Sequence, residues 1–183
     1  MVGLIQKLLL DLIESTATLD AVKKVKRLAG VPLDKEDSIS ETYDDDEWQR
    51  LLAATCDVLK ITPEQAEEAF AEFFFKDCLK RWPTWFQISK TARELLERQP
   101  IIHNGFATSM QNPEERQTIN EKFRLETFNK ELVMHYCSPN RLCGLYKALV
   151  RRILDHYGEQ ATLRETRCLK KGDSACEIHV CWN

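Results

Sequence analysis

Seven of the 183 residues are cysteines, at positions 56, 78, 137, 143, 168, 176 and 181, and the spacing of three of them suits a metal. Cys168 and Cys176 lie four residues either side of Gly172. A three-residue hairpin loop centred on Gly172 sets them directly opposite on one face. Cys143 falls near the start of the helix expected before that hairpin. Three converging thiolates need one more donor to make a tetrahedral zinc site, and Glu165, three residues before Cys168, is the candidate. The same residues also fit three buried free thiols, or a cross-strand disulfide under oxidation.

Two further places carry chemistry. His103 lies in the largely apolar run Pro100-Ile101-Ile102-His103-Asn104-Gly105-Phe106. Such a histidine is either a packed, hydrogen-bonded side chain or a metal ligand beside an apolar pocket, as haem requires. Tyr136-Cys137-Ser138-Pro139-Asn140-Arg141 stands where a strand runs into a helix. Two hydroxyls, a helix N-terminus and an arginine together can hold carboxylates. The simpler reading makes Ser138 the N-cap of that helix and Pro139 its first residue.

Other classes are excluded or disfavoured. A net charge of -3 with no basic stripe argues against nucleic acid. No apolar run is long enough to span a bilayer. The apolar start, Met1 to Ile13, carries Gln6, Lys7 and Asp11 and lacks a small-residue cleavage site, so no leader is expected. With an odd cysteine count, this points to a reducing cytoplasm. No phosphate-cradling glycine loop, nucleophile elbow or paired-histidine zinc motif appears, so an enzyme is not expected. The Asp44-Asp45-Asp46-Glu47 run reads as a helix N-terminus favoured by the dipole.

The elements that position these residues follow from periodicity. Leu4, Ile5, Leu8, Leu9 and Leu12 give one helical face over residues 3–19, and a second helix runs from Asp20 to Leu28, where Gly30 and Pro32 stop it. Residues 33–43 form a polar connection. Asp44 caps the next helix, with Glu47 in the capping-box place, as far as Lys60; Thr62-Pro63-Glu64-Gln65 opens another, to Arg81. Trp82-Pro83 breaks it, and residues 85–99 read as one more helical stretch. After residue 120 the period shortens to two. Strands are expected at 123–127 and 132–136, a long helix from Arg141 to Tyr157 ending at Gly158, then a final hairpin of 162–169 and 175–181. The class is α+β: a helical N-terminal lobe (1–60) and a C-terminal lobe (61–183) with a four-stranded antiparallel sheet and helices, in one domain.

Taken together and in this order, the three sites resemble the H-NOX (haem–nitric oxide binding) family, in its bacterial stand-alone, zinc-bearing form. The likeness covers most of the chain. It includes the Met-x-Gly-Leu-Ile opening, the acidic helix start from Tyr43 to Trp48, the Ala66–Phe75 helix and the histidine near residue 100. Its most specific part is Tyr136-Cys-Ser-Pro-Asn-Arg-Leu-Cys143 with Cys168-Leu-Lys-Lys-Gly-Asp-Ser-Ala-Cys176. The resemblance implies haem b between the lobes, with His103 as iron ligand. It implies that Tyr136 and Ser138 hold the propionates, as in the family's Tyr-x-Ser-x-Arg motif. Asn140 stands where that motif has Arg, which leaves Arg141, turned about 100° away on a helix start, as the nearby cation. Zinc-bearing members use three Cys and one His; Cys143, Cys168 and Cys176 match, and Glu165 holds the histidine's place. Members that hold O₂ place a tyrosine nine residues after the motif tyrosine. Here Leu145 stands there, and Ile5, Leu9 and Phe74 are the other expected distal residues, with no hydrogen-bond donor evident. The resemblance therefore implies a nitric oxide sensor that excludes O₂. It would signal through weakening of the His103–iron bond to a separate protein such as a histidine kinase or diguanylate cyclase. Two alternatives stay open. One is a haem-free member sensing redox state or zinc through Cys143, Cys168 and Cys176. The other is an apolar small-ligand-binding domain of vinyl-reductase-like type.

Overall fold

The computed structural model describes residues 3–35, 38, 39, 41–108, 117 and 121–183. Met1 of the opening motif lies outside them, as do residues 36, 37 and 40 of the polar connection. The chain divides into two compact units, Met1–Phe74 and Phe75–Asn183. Among the described residues no helix is long and apolar enough to cross a membrane.

The first unit is helical. It holds α1 (Gly3–Thr16), α2 (Leu19–Leu28), α3 (Asp45–Leu59) and the start of α4 (Pro63–Arg81). Leu4, Leu8, Leu9 and Ile13 of α1 are buried, as are Val22 and Val25 of α2, Trp48 and Leu51 of α3, and Phe70 of α4. These are the helical spacings that one apolar face requires. Thr62 and Gln65 form the expected capping box: Gln65 N–H donates to Thr62 Oγ1 (3.2 Å) and Thr62 N–H to Gln65 Oε1 (2.9 Å). Asp44 caps α3 by accepting from Asp46 N–H (2.9 Å). Glu47, however, is not the reciprocal partner. Its carboxylate accepts instead from Gln6 Nε2 of α1 (2.7 Å) and from Lys35 Nζ (2.6 Å). A fully buried glutamine and a lysine outbid one backbone N–H for it.

The second unit is mixed α+β. The expected helix over 85–99 is two short ones, α5 (Pro83–Ile88) and α6 (Ala92–Glu97), followed by α7 (Gln99–Thr108). Thr91 accounts for the break: it caps α6 by accepting from Glu94 N–H (3.0 Å) while Glu94 accepts from Lys90 N–H (2.8 Å). Pro100 sits in the first turn of α7, where its missing N–H costs nothing. Four antiparallel strands follow, β1 (Phe123–Thr127), β2 (Glu131–Tyr136), β3 (Ala161–Arg167) and β4 (Cys176–Trp182), in the order β1-β2-β4-β3. Helix α8 (Cys143–Tyr157) separates β2 from β3 and ends at Gly158, whose φ of 66° closes it.

One face of the sheet forms the core. Leu132 pairs with Val180, Met134 with Ile178 and Tyr136 with Cys176. Cys143, Tyr146, Val150 and Leu154 of α8 and Ala92 and Leu96 of α6 share that core. The three-and-four spacing along α8 is what laying one helical face on a sheet demands.

Two local expectations are corrected. α8 begins at Cys143, not Arg141, because residues 138–142 make a turn in which Arg141 adopts φ +50°. Ser138 is therefore not an N-cap of α8, and Arg141 is on no helix start. The loop joining β3 to β4 is also longer than three residues, since Cys168 leads into a 3₁₀ turn over Leu169–Lys171. Asp173 stabilises that turn by accepting from Cys168 N–H (2.7 Å).

A candidate metal centre and a histidine helix

The four residues expected to converge do so. One ligand atom from each of Cys143, Glu165, Cys168 and Cys176 lies within 4.8 Å of every other. They come from α8, β3, the turn after β3, and β4. In a regular strand two residues three apart face opposite ways. Here the register shifts between Glu165 and Arg167, a bulge that returns Cys168 to the face Glu165 occupies. Glu165 pairs with Ile178, placing it on the core face. All three cysteines are buried.

One sulfur–sulfur distance excludes a disulfide and fits both a thiol–thiol hydrogen bond and a shared metal. Cys143 Sγ and Cys168 Sγ are 3.7 Å apart. A disulfide needs about 2.05 Å. Tetrahedral zinc–sulfur bonds of about 2.3 Å set their sulfurs roughly 3.8 Å apart. Leu169 N–H donates to Cys176 Sγ (3.2 Å), a bond that favours the thiolate. Burial pushes the Cys143 thiol strongly up, and Cys176 and Cys168 beside it add to the rise. Burial likewise raises Cys176. A buried group of thiols of this kind holds charge best with a cation among them.

Glu165 makes two contacts that the sequence reading did not include. Lys147 Nζ lies 3.1 Å from its Oε1 and Lys171 Nζ 3.7 Å from its Oε2. Lys147 follows Cys143 by four residues, one helical turn, and that spacing was available as a signal.

His103 lies mid-way along α7, half-buried. Its ring stacks on Phe123 at 4.1 Å between centroids, and Phe123 meets Tyr136 at 5.0 Å. One ring of β1 thus stands between the histidine and the motif tyrosine. Burial, helped by the charge of Lys122, pushes His103 down to about 4. It is neutral at pH 7, with a lone pair to give to a metal. The sequence marks Phe123 only as a strand residue; its pairing with Tyr136 puts it on the core face of β1.

At the motif, Tyr136 and Ser138 are buried and their side chains interact. Tyr136 Oη accepts from Leu142 N–H (3.2 Å), and Ser138 Oγ from Asn140 N–H (3.3 Å). Asn140 is buried, whereas Arg141 is exposed. Leu145 is buried on α8, and its neighbour Tyr146 carries a buried hydroxyl with no hydrogen-bond partner. That hydroxyl points into the sheet core that Tyr146 shares, about 100° round the helix from Leu145, so it is not a donor on the Leu145 side. Ile5, Leu9 and Phe74 lie in the first unit; Leu9 is buried, Ile5 is half-buried, and Phe74 stacks on Phe70.

The Haem-NO-binding family profile matches residues 2–165. A crystal structure of an H-NOX protein from S. oneidensis in the Fe(II)NO ligation state aligns with a TM-score of 0.81 at 16% identity, covering 100% of this chain and 99% of that one. The Fe(II) unliganded H-NOX protein from K. algicida aligns at 0.77 and 20% identity, covering 100% and 97%. No curated protein matches by sequence.

Proposed function

Because this chain belongs to the Haem-NO-binding (H-NOX) family, we propose that it binds haem b through His103 and senses nitric oxide, signalling through weakening of the His103–iron bond to a separate partner protein. The observation that carries this reading is the set His103–Phe123–Tyr136. A neutral histidine on a helix lies one aromatic ring away from the tyrosine of the expected propionate clamp. The bound haem would supply an iron able to take a diatomic ligand.

This chain's residues would do the rest. The His103 imidazole donates its lone pair, and Phe123 fixes its plane. Tyr136 and Ser138 each accept from a backbone N–H and hydrogen-bond to each other, an arrangement that fixes the pair and leaves one hydroxyl proton for an acceptor such as a carboxylate. Asn140 brings no charge to that clamp, so haem is held with fewer charge-assisted bonds than an arginine fork would give. Leu145 offers bound O₂ no hydrogen bond, which favours nitric oxide. A partner, a histidine kinase or a diguanylate cyclase by family habit, responds only if it binds the two states unequally.

The visible spectrum tests this. Protein expressed with haem available should show a Soret band that shifts on reduction and again on nitric oxide addition. His103→Ala should lose it, and added imidazole should restore it. No haem uptake by the wild-type chain refutes the proposal.

A second reading is favoured by Asn140 together with the cysteine geometry: a zinc or redox sensor of the same fold. Cys143, Cys168, Cys176 and Glu165 would hold one zinc ion. Metal analysis should find close to one zinc per wild-type chain and far less in Cys176→Ser. Equal metal in the two would leave the centre as free thiols.

A further inference from the structure

Glu165 replaces the neutral histidine of a three-cysteine, one-histidine centre with a charged donor, and this changes the electrostatics of a buried site. Three thiolates and a carboxylate around a divalent cation leave two net negative charges; with histidine only one remains. An uncompensated charge at a largely buried position is costly. Lys147 and Lys171 reach the two oxygens of this same carboxylate, at 3.1 and 3.7 Å. Glu165 is 13% exposed, Lys147 27% and Lys171 73%.

From this we infer that Lys147 is the charge-compensating residue of the centre: it holds Glu165 from behind so that the carboxylate ligates zinc through one oxygen while staying paired through the other. The inference rests on reading the four-residue cluster as a zinc site. Four points support it. A carboxylate has about four acceptor positions, so metal and lysine need not compete for one. Lys147 shares its helix with Cys143, one turn away, so ligand and compensating charge are carried by a single rigid element. The bulge after Glu165 brings that residue and Cys168 to the same face. Finally, the partly buried Lys147 pair is screened less than the Lys171 pair, whose lysine is in solvent. Lys147 is thus a positioning residue, and Lys171 is an accessory to it.

The test is zinc affinity of the full chain, measured by competition with a chromophoric chelator, with far-UV circular dichroism and the metal-free unfolding midpoint as controls for folding. Lys147→Met should raise the zinc dissociation constant about 10- to 100-fold, the range seen when an outer partner of a metal ligand is removed. Lys147→Arg keeps the charge and should stay within about fivefold of wild type, as should Lys171→Met, whose exposed pair is worth little. In a Glu165→His background, Lys147→Met should lose its effect, because no carboxylate remains to compensate. Unchanged or tighter binding in Lys147→Met, with wild type zinc-loaded, overturns the role of the lysine alone. A wild-type chain that takes no zinc from the chelator overturns the centre and the lysine's role together.

Discussion

At the scale of single residues, Glu47 shows how a local signal is overridden. Its place three residues into α3 is what a capping box asks for, and its neighbour Asp44 does cap the helix. A side chain that far from its own N-cap can also reach outward, and here Gln6 and Lys35 are waiting. Burial by itself would raise the Glu47 carboxyl. The Lys35 and Gln6 hydrogen bonds and the charges of Lys35 and Arg50 outweigh it, and the net value lies below the ordinary 4.5. The folded state therefore prefers the ionised form. The stability this contributes is present above the unfolded value and is lost as pH falls through the lower, folded one. Glu47→Gln should accordingly cost roughly 1–2 kcal/mol at pH 7, somewhat under the ~1.5–3 kcal/mol of hydrogen bonds to a charged group because the pair is partly exposed. The wild-type advantage should shrink as pH falls from the unfolded value of about 4.3 through the lower, folded one. Urea unfolding of the two proteins at pH 7, 5 and 3.5 reads this directly; a difference that grows on acidification contradicts it.

At the scale of elements, what the sequence makes legible is whatever depends on local period and punctuation. The α1, α3 and α4 helices, the β1–β2 pair and the Gly158 stop all follow from spacing and caps. What escapes it are places where one residue's partner is distant in the chain. The split of 85–99 turned on Thr91 capping a new helix, a signal present in the sequence but hidden by an apolar period that continues through it. The late start of α8 turned on Arg141 taking a left-handed conformation, which a residue type that rarely adopts one does not announce. The bulge after Glu165 is set by pairing with β4, yet without it the four-residue cluster could not form. Gly3 belongs to the same class. It reads as an ordinary first helical residue, but a Cβ there would lie 2.0 Å from the Ser38 carbonyl and 2.9 Å from that of Glu41. Its own N–H donates to Glu41 (2.8 Å). The connection after α2 thus lies directly against the start of α1, and only glycine leaves room for it. Gly3→Ala should destabilise the first unit by about 1–3 kcal/mol, the usual cost of overpacking against unyielding backbone. Thermal unfolding followed by circular dichroism checks this. A change below 0.5 kcal/mol, a surface-substitution effect, would mean that the connection moves aside freely.

At the scale of the whole molecule, the chain has two sets of buried residues, and its candidate chemistry is not shared evenly between them. Cys143, Glu165, Cys168, Cys176, Lys147, His103, Phe123 and Tyr136 all belong to the second unit, while Ile5, Leu9 and Phe74 belong to the first. No composition or period shows this partition; it emerges only from which segments fold against which. A consequence concerns where metal binding is felt. Zinc that binds the folded centre and not the unfolded chain stabilises by mass action, by about 2.7 kcal/mol at a hundredfold excess over the dissociation constant. That free energy is delivered to whatever cooperative unit must open to release the ion. The ligands span α8, β3 and β4, whose side chains make up the core of the second unit. Backbone amides of β2, β4 and α8 that exchange through opening of this core should therefore slow by about a hundredfold under those conditions. Amides of α1 and α3, held by Leu8, Ile13, Trp48 and Leu51 in the first unit, should exchange at unchanged rates. Hydrogen exchange measured by mass spectrometry with and without zinc separates the outcomes. Equal slowing across both units would show that they open as one cooperative body, and the centre would then stabilise the entire chain. Slowing confined to the second unit would show that the metal acts there alone, and that any signal reaching α1 and α3 has another source.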